Sequence, residues 1–318
     1  MDPTFPVLPF RSTLYTPDEL FDGFDPGRPG SYADTPDFLA YRSTRLGPNR
    51  EVGMLRALHD QCITEARDVA IDGTRVVAIM GGHELGRDDP AYADVVELAA
   101  AITSHGILVA TGGGPGAMEA AHLGAMLAAD PTARSRAVAT LASSPSFPSV
   151  AGSLLDQAAS PDPAVLRALH DWQRPAFEIW AATDPASRCR SLAVPTWFYG
   201  HEPPTPFATH IAKYFSNSLR EDGLLAIAVD GIVFGPGSAG TLQEVFQDAC
   251  QNHYRVFHDR FSPMAFLDRG GCWTGRFPVG PLLETLFGPE DFARHVCIDA
   301  DLDVIRTFLV DHPDALTG

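Results

Sequence analysis

Short apolar runs alternate with stretches of helical periodicity over most of this chain. From Glu51 to Asp72 the residues Met54, Leu55, Leu58, Cys62, Ala66 and Val69 recur at helical spacing. Arg75–Met80 (RVVAIM) then has the unbroken apolar character of a buried strand. Pro90–His105 follows as a helix, with Asp88 or Asp89 at its start. Ile107–Ala110 predicts a second strand, a helix runs from about Gly116 through Met118 to about Ala129, and Arg136–Leu141 (RAVATL) predicts a third strand. Leu192–Phe198 predicts a fourth strand in spite of Pro195, Phe207–Arg220 a helix, and Gly231–Phe234 a fifth strand leading to a helix from Thr241 to about His253. Met264–Asp268, Pro278–Phe287, Val296–Ile298 and Leu302–Val310 close the pattern as strand, helix, strand, helix.

Seven short strands separated by helices predict an α/β, Rossmann-like, mostly parallel sheet covered on both faces. Right-handed crossovers gather its strand-end loops on one edge, and ligands of such sheets bind beyond the carboxyl ends of the strands. Two segments break the rhythm. Residues 1–50 are rich in Pro, Gly and Asp and read as an extended arm, so that 1–72 forms an arm and helix packed on the core. Residues 143–188, with SSPSFPS and a helical DPAVLRALHDWQRPAFEIWAA, read as an insertion within a 73–318 core domain, because the strand–helix alternation resumes directly afterwards.

Composition excludes several function classes. With 23 Lys+Arg against 40 Asp+Glu the formal charge is −17, which repels nucleic-acid phosphates. No run of about 18 apolar residues predicts a membrane span, and the first residues lack the basic start and apolar core of a secretory signal, so a cytoplasmic protein is expected. Cys62, Cys189, Cys250, Cys272 and Cys297 are odd in number and never spaced C-x-x-C. His253 and His258 are not an i,i+4 pair, so no metal site is expected. Lys213 is the sole lysine and lies in HIAKYF. A P-loop and a pyridoxal-phosphate Schiff base are therefore excluded, and no cofactor is expected.

Two glycine loops carry the candidate chemistry. Thr111-Gly112-Gly113-Gly114-Pro115-Gly116 follows the second strand, and Gly235-Pro236-Gly237-Ser238-Ala239-Gly240-Thr241 follows the fifth. Glycines there admit positive φ and close approach, and the free N–H groups of the helices that follow favour an anion. Either loop alone is equally a tight turn. Two on one edge point to a phosphate-bearing small molecule, which local backbone dipoles bind despite the net charge. Glu244, three residues past Thr241, is either a capping carboxylate or one facing the ligand sugar. Arg220, ending the preceding predicted helix, answers either the helix dipole or the ligand. Gly82, His83 and Glu84 after the first strand, Met118 and Glu119 after the first glycine loop, and His210 are further candidates. Trp197, Phe198 and Tyr199 are available either to stack on a base or to pack the core.

The pairing of Thr111-Gly-Gly-Gly-Pro-Gly-Ala-Met-Glu-Ala-Ala with Pro236-Gly-Ser-Ala-Gly-Thr-Leu-Gln-Glu resembles the LOG ("lonely guy") family, formerly labelled lysine decarboxylase-like. The likeness spans roughly 75–142 and 190–310. It implies a Rossmann-like fold, hydrolysis of the N-glycosidic bond of a nucleoside 5′-monophosphate to free base and ribose 5-phosphate, and a homodimer or higher homo-oligomer. By the same resemblance Glu244 and Arg220 are catalytic. Gly112, Gly113, Gly114, Gly116, Gly237, Ser238, Ala239, Gly240 and Thr241 hold substrate and phosphate. Three departures stand out: Ser238 replaces the second glycine of P-G-G, Ser218-Leu219-Arg220-Glu221 stands where the family has H-x-R-K, and one extra residue separates Arg220 from Pro236. They leave room for a nucleotide-binding or sensing protein without catalysis. A dinucleotide-dependent oxidoreductase would need G-x-G-x-x-G after the first strand and an acidic residue ending the second, and here Gly81-Gly82-His83-Glu84-Leu85-Gly86 and Thr111-Gly112 occupy those places.

Overall fold

The computed structural model describes residues 5–47, 50–256 and 260–313. His258, considered above as a zinc ligand, lies outside them. One sheet of seven parallel strands forms the centre: β1 (Val76–Met80), β2 (Leu108–Thr111), β3 (Ser191–Ala193), β4 (His210–Ile211), β5 (Ile232–Phe234), β6 (Met264–Leu267) and β7 (Val296–Asp299), in the order β4-β3-β2-β1-β5-β6-β7. The chain builds outward from β1 to β4, returns to lay β5 on the other side of β1, and then builds outward again. The strand order therefore reverses between β1 and β5, where Ala78 pairs with Ile232 and Met80 with Phe234.

Every residue of β1 is buried, as an apolar run with both faces covered requires. Successive side chains enter opposite layers. Val76, Ala78 and Met80 pack with the arm and helices α3 (Arg50–Ile71), α8 (Asn217–Ile227) and α9 (Ala239–Tyr254). Val77 and Ile79 pack with α4 (Pro90–Ser104), α5 (Ala117–Met126) and α12 (Leu302–Val310). An acidic cap followed by proline starts several helices: Asp89 Oδ1 accepts the Ala91 N–H ahead of α4, and Asp162 does the same for α7 (Pro163–Ala182), the long helix of the 143–188 segment.

Three expectations need correction. Arg136–Leu141 is helical, in α6 (Pro131–Leu141), because Asp130 caps the helix by accepting the Ala133 N–H and because Arg134, Ala137 and Leu141 fall on one buried helical face. The missing strand is β4, within the stretch read as a helix from Phe207 to Arg220. Residues 211–214 are buried whichever way they point, so the run carries no strand alternation to read. The third corrected element, Leu192–Phe198, stops being a strand after Ala193: Pro195 cannot continue the ladder, and Trp197–Tyr199 forms a 3-10 turn.

The arm is an integral part of the core. Tyr15 pairs antiparallel with Ile211 along the outer edge of β4. From α2 (Pro36–Arg45), Asp37 takes the Lys213 ammonium at 2.6 Å, the Trp197 indole N–H at 2.9 Å and the Tyr32 hydroxyl at 2.9 Å, all fully buried. The chain's one lysine is therefore a structural ion pair, its pKa lowered by burial against the opposing pull of Asp37. Helix α3 forms where expected but presents a different face. Met54 and Val69 are exposed, while His59, Asp60, Ile63, Ala66 and Arg67 turn inward.

Candidate active site

At the reversal point, beyond the carboxyl ends of β1, β2 and β5, lies a cavity of about 280 Å³. The end of β1 is stitched to both glycine loops: Gly82 N–H donates to Pro236 O at 3.0 Å, Gly82 O accepts Ala117 N–H at 3.2 Å, and Gly235 N–H donates to Met80 O at 2.8 Å. The loops are thus held side by side.

They contribute unequally. From the first, only Gly112 lines the cavity. A Cβ at Gly112 would overlap the Arg220 guanidinium, which rests directly on its backbone. Gly113 and Gly114 pack against Ala193 and Met118. Gly116, at φ +71°, caps α5 with no room for a side chain, because its α-carbon faces Gly82 O. Since Ala117 N–H is already bonded to Gly82, this helix terminus is partly satisfied within the fold.

The second loop is open. Helix α9 begins at Ala239, two residues earlier than expected; Ser238 sits at its cap without a side-chain capping bond, and Ser238, Ala239 and Gly240 are exposed. Ser238, Gly240 and Thr241 line the cavity, while Gly237 abuts the Thr241 side chain. The N–H groups at the positive end of this 16-residue helix have the geometry and polarity that favour an anion.

Because α9 starts at Ala239, Glu244 is its sixth residue, beyond reach of a capping role. Its carboxylate lines the cavity, and burial pushes its pKa up to about 7, with Arg220 pulling it down and Glu221 pushing it further up. Arg220 is likewise relocated. It lies in the first turn of α8, not at a helix C-terminus, so the helix dipole opposes its charge instead of favouring it. What holds it is the Nε–H bond to Val194 O at 2.8 Å, just past β3, together with the field of Glu244.

Gly82, His83 and Met118 line the cavity; Glu119 does not. Glu119 is fully buried, receives both arms of Arg87 at 2.7 and 2.6 Å and the Tyr92 hydroxyl at 3.0 Å, and ties α5 to α4. Arg87 in turn stacks on Trp172, anchoring α7. Of the aromatic trio, Trp197 is buried, whereas Tyr199 is exposed and lines the cavity. His210 sits on β4, away from the site.

Sequence reading missed Glu202, Glu221 and Gln243 in the lining, and also Asp60 behind it. Asp60, from α3, accepts the N–H groups of Phe215 at 2.9 Å and Ser216 at 2.8 Å, immediately before α8, and is itself held by His59, whose other nitrogen meets the Tyr15 hydroxyl at 2.7 Å. This buried chain fixes the origin of the helix that carries Arg220. A sequence signal existed: His59 and Asp60 fall on the inward face of α3 beside Ile63, where only partnered polar groups survive.

No protein-family model matches the chain, and no curated protein matches it in sequence. Among the described residues no cluster of three or more His, Cys, Asp and Glu is arranged to hold a metal ion, and no helix is long and apolar enough to cross a membrane.

Proposed function

We propose that the protein hydrolyses the N-glycosidic bond of a nucleoside 5′-monophosphate, giving free base and ribose 5-phosphate. The observation that carries this reading is the joint placement, in one cavity, of the open N-terminus of α9, the guanidinium of Arg220 and a Glu244 carboxylate titrating near neutrality. The motif resemblance to the LOG family supports the same chemistry.

In this reading the 5′-phosphate docks on the N–H groups of residues 239–241 and the Thr241 hydroxyl, orienting the substrate through a group that does not react. The ribose then lies against Glu244, one turn along α9. As the C1′–N bond breaks, its electron pair leaves with the base and positive charge develops on the sugar, which the Glu244 carboxylate stabilises. Water adds its oxygen to C1′ and loses a proton, and a proton ends on the departing base. Arg220 partly offsets the burial that disfavours the Glu244 carboxylate, and polarises the ribose hydroxyls or the base. These steps need neither metal nor redox cofactor, and we assign them to a cytoplasmic homodimer or larger homo-oligomer.

A second reading, nucleotide binding without turnover, draws on Glu221, a carboxylate in the lining where the resembled pattern has lysine. Incubating the protein with a panel of nucleoside monophosphates and separating the products by chromatography tests both. Free base with equimolar ribose 5-phosphate is expected, whereas tight nucleotide binding with no product would favour the second reading.

A further inference from the structure

Beside the main cavity, and sharing Tyr199 with it, lies a second one of about 440 Å³. Its charge is the reverse of its neighbour's. The main cavity sets Glu202, Glu221 and Glu244 against Arg220. The side cavity is lined by Arg45 and Arg56 with no carboxylate, among Phe198, Tyr199 and Phe215, in a protein of formal charge −17. Phe198 and Tyr199 are exposed at 60% and 41%, although large aromatic rings favour burial. The Arg56 guanidinium lies over the Phe215 ring at 5.2 Å and donates one N–H to Ser43 O at 2.9 Å, while its Nε is buried with no hydrogen-bond partner among the described residues; the same holds for Nδ1 of His201 on this wall. Both arginines come from α2 and α3, outside the stretch that resembles the LOG family, so the arm adds this cavity to the site.

We propose that the side cavity receives the outer edge of the leaving base, and that the preferred substrate is a purine nucleoside 5′-monophosphate whose exocyclic amine carries a carboxylate-bearing substituent. This rests on the hydrolase reading for orientation. With the phosphate on α9 and the sugar at Glu244, the base extends toward Tyr199, and the space beyond it far exceeds a bare purine. Aromatic faces suit the purine ring, and a guanidinium pair with no carboxylate in the lining, Arg56 feeling the field of Asp60 from outside it, suits a carboxylate.

The test is calorimetric binding of AMP and of N6-succinyl-AMP to the Glu244→Gln protein, which is expected not to turn over. The acid-bearing nucleotide binds at least about tenfold more tightly, as one charge-assisted guanidinium–carboxylate contact implies, and Arg56→Ala brings the ratio of the two affinities close to one. Arg45→Ala, an exposed position, gives the same readout should the Arg56 variant fail to fold. Equal affinities in the parent, or a ratio unchanged by both substitutions, overturn the proposal; the latter includes the case in which the arginines hold the phosphate, where both nucleotides weaken together. The outcome is separable from catalysis. If wild type cleaves AMP but shows no preference, only this inference fails. An arginine-dependent preference without any cleavage leaves the acid-bearing nucleotide standing as the ligand of this cavity, and removes the hydrolase reading and with it that nucleotide's part as substrate.

Discussion

Changing the pH from 8 to 5 titrates the group on which the proposed chemistry turns. With a pKa of about 7, Glu244 is roughly 90% ionised at pH 8, half ionised at pH 7 and about 1% ionised at pH 5. If the carboxylate is the active form, kcat/KM falls close to a hundredfold across that span. A glutamate at its ordinary value, near 4.5, would lose less than a quarter. The substrate's own phosphate titrates near 6, so the decisive comparison is with Glu221→Gln. Glu221 raises the Glu244 pKa by repulsion, and removing its charge moves the midpoint to lower pH, which no phosphate titration would do. The assay is initial-rate release of ribose 5-phosphate at half-unit steps from pH 5 to 9 for both proteins. A flat profile between pH 5 and 8, or a midpoint that Glu221→Gln leaves in place, would refute the assignment.

The same ionisation bears on stability. The Glu244 pKa is higher in the fold than its ordinary value of 4.5, so the fold is progressively penalised as pH rises from about 4.5 through 7. Glu244→Gln therefore raises Tm at pH 8 and leaves it nearly unchanged at pH 4, by calorimetry at the two values. Asp60→Ala strips the acceptor from two half-buried backbone N–H groups ahead of α8 and costs about 2–4 kcal/mol in denaturant unfolding. In the protein that remains folded it lowers kcat more than it raises KM, because Arg220 loses its fixed origin. Lys213→Met leaves Asp37 buried without its cation and costs about 3–5 kcal/mol. Adding Asp37→Leu to Lys213→Met recovers part of that loss, measured by the same denaturation.

The central strands were legible because burial on both faces demands continuous apolar runs, and β1, β2, β5 and β6 have them. The glycine loops and Glu244 could be read for a related reason: strand-to-helix turns at one sheet edge leave a compact signature. What failed is equally physical. β4 is two residues long, so no periodicity marks it, and α6 is short enough for its apolar positions to pass as a strand. The misplaced start of α8 carried Arg220 to the wrong end of a helix, which turned a supposed dipole stabilisation into an opposing one. Glu119, chosen for its place after the glycines, is engaged by Arg87, a partner 32 positions away along the chain that no local pattern indicates. The side-cavity arginines and Asp60 lie on helices of the arm, whose approach to the sheet edge is a tertiary fact.

The most direct measurement is a crystal structure of the Glu244→Gln protein with AMP bound. The account predicts phosphate oxygens within about 3 Å of the N–H groups of residues 239–241, with the anomeric carbon facing the side chain at 244. A phosphate seated between Arg45 and Arg56, or a ribose turned away from residue 244, would contradict it.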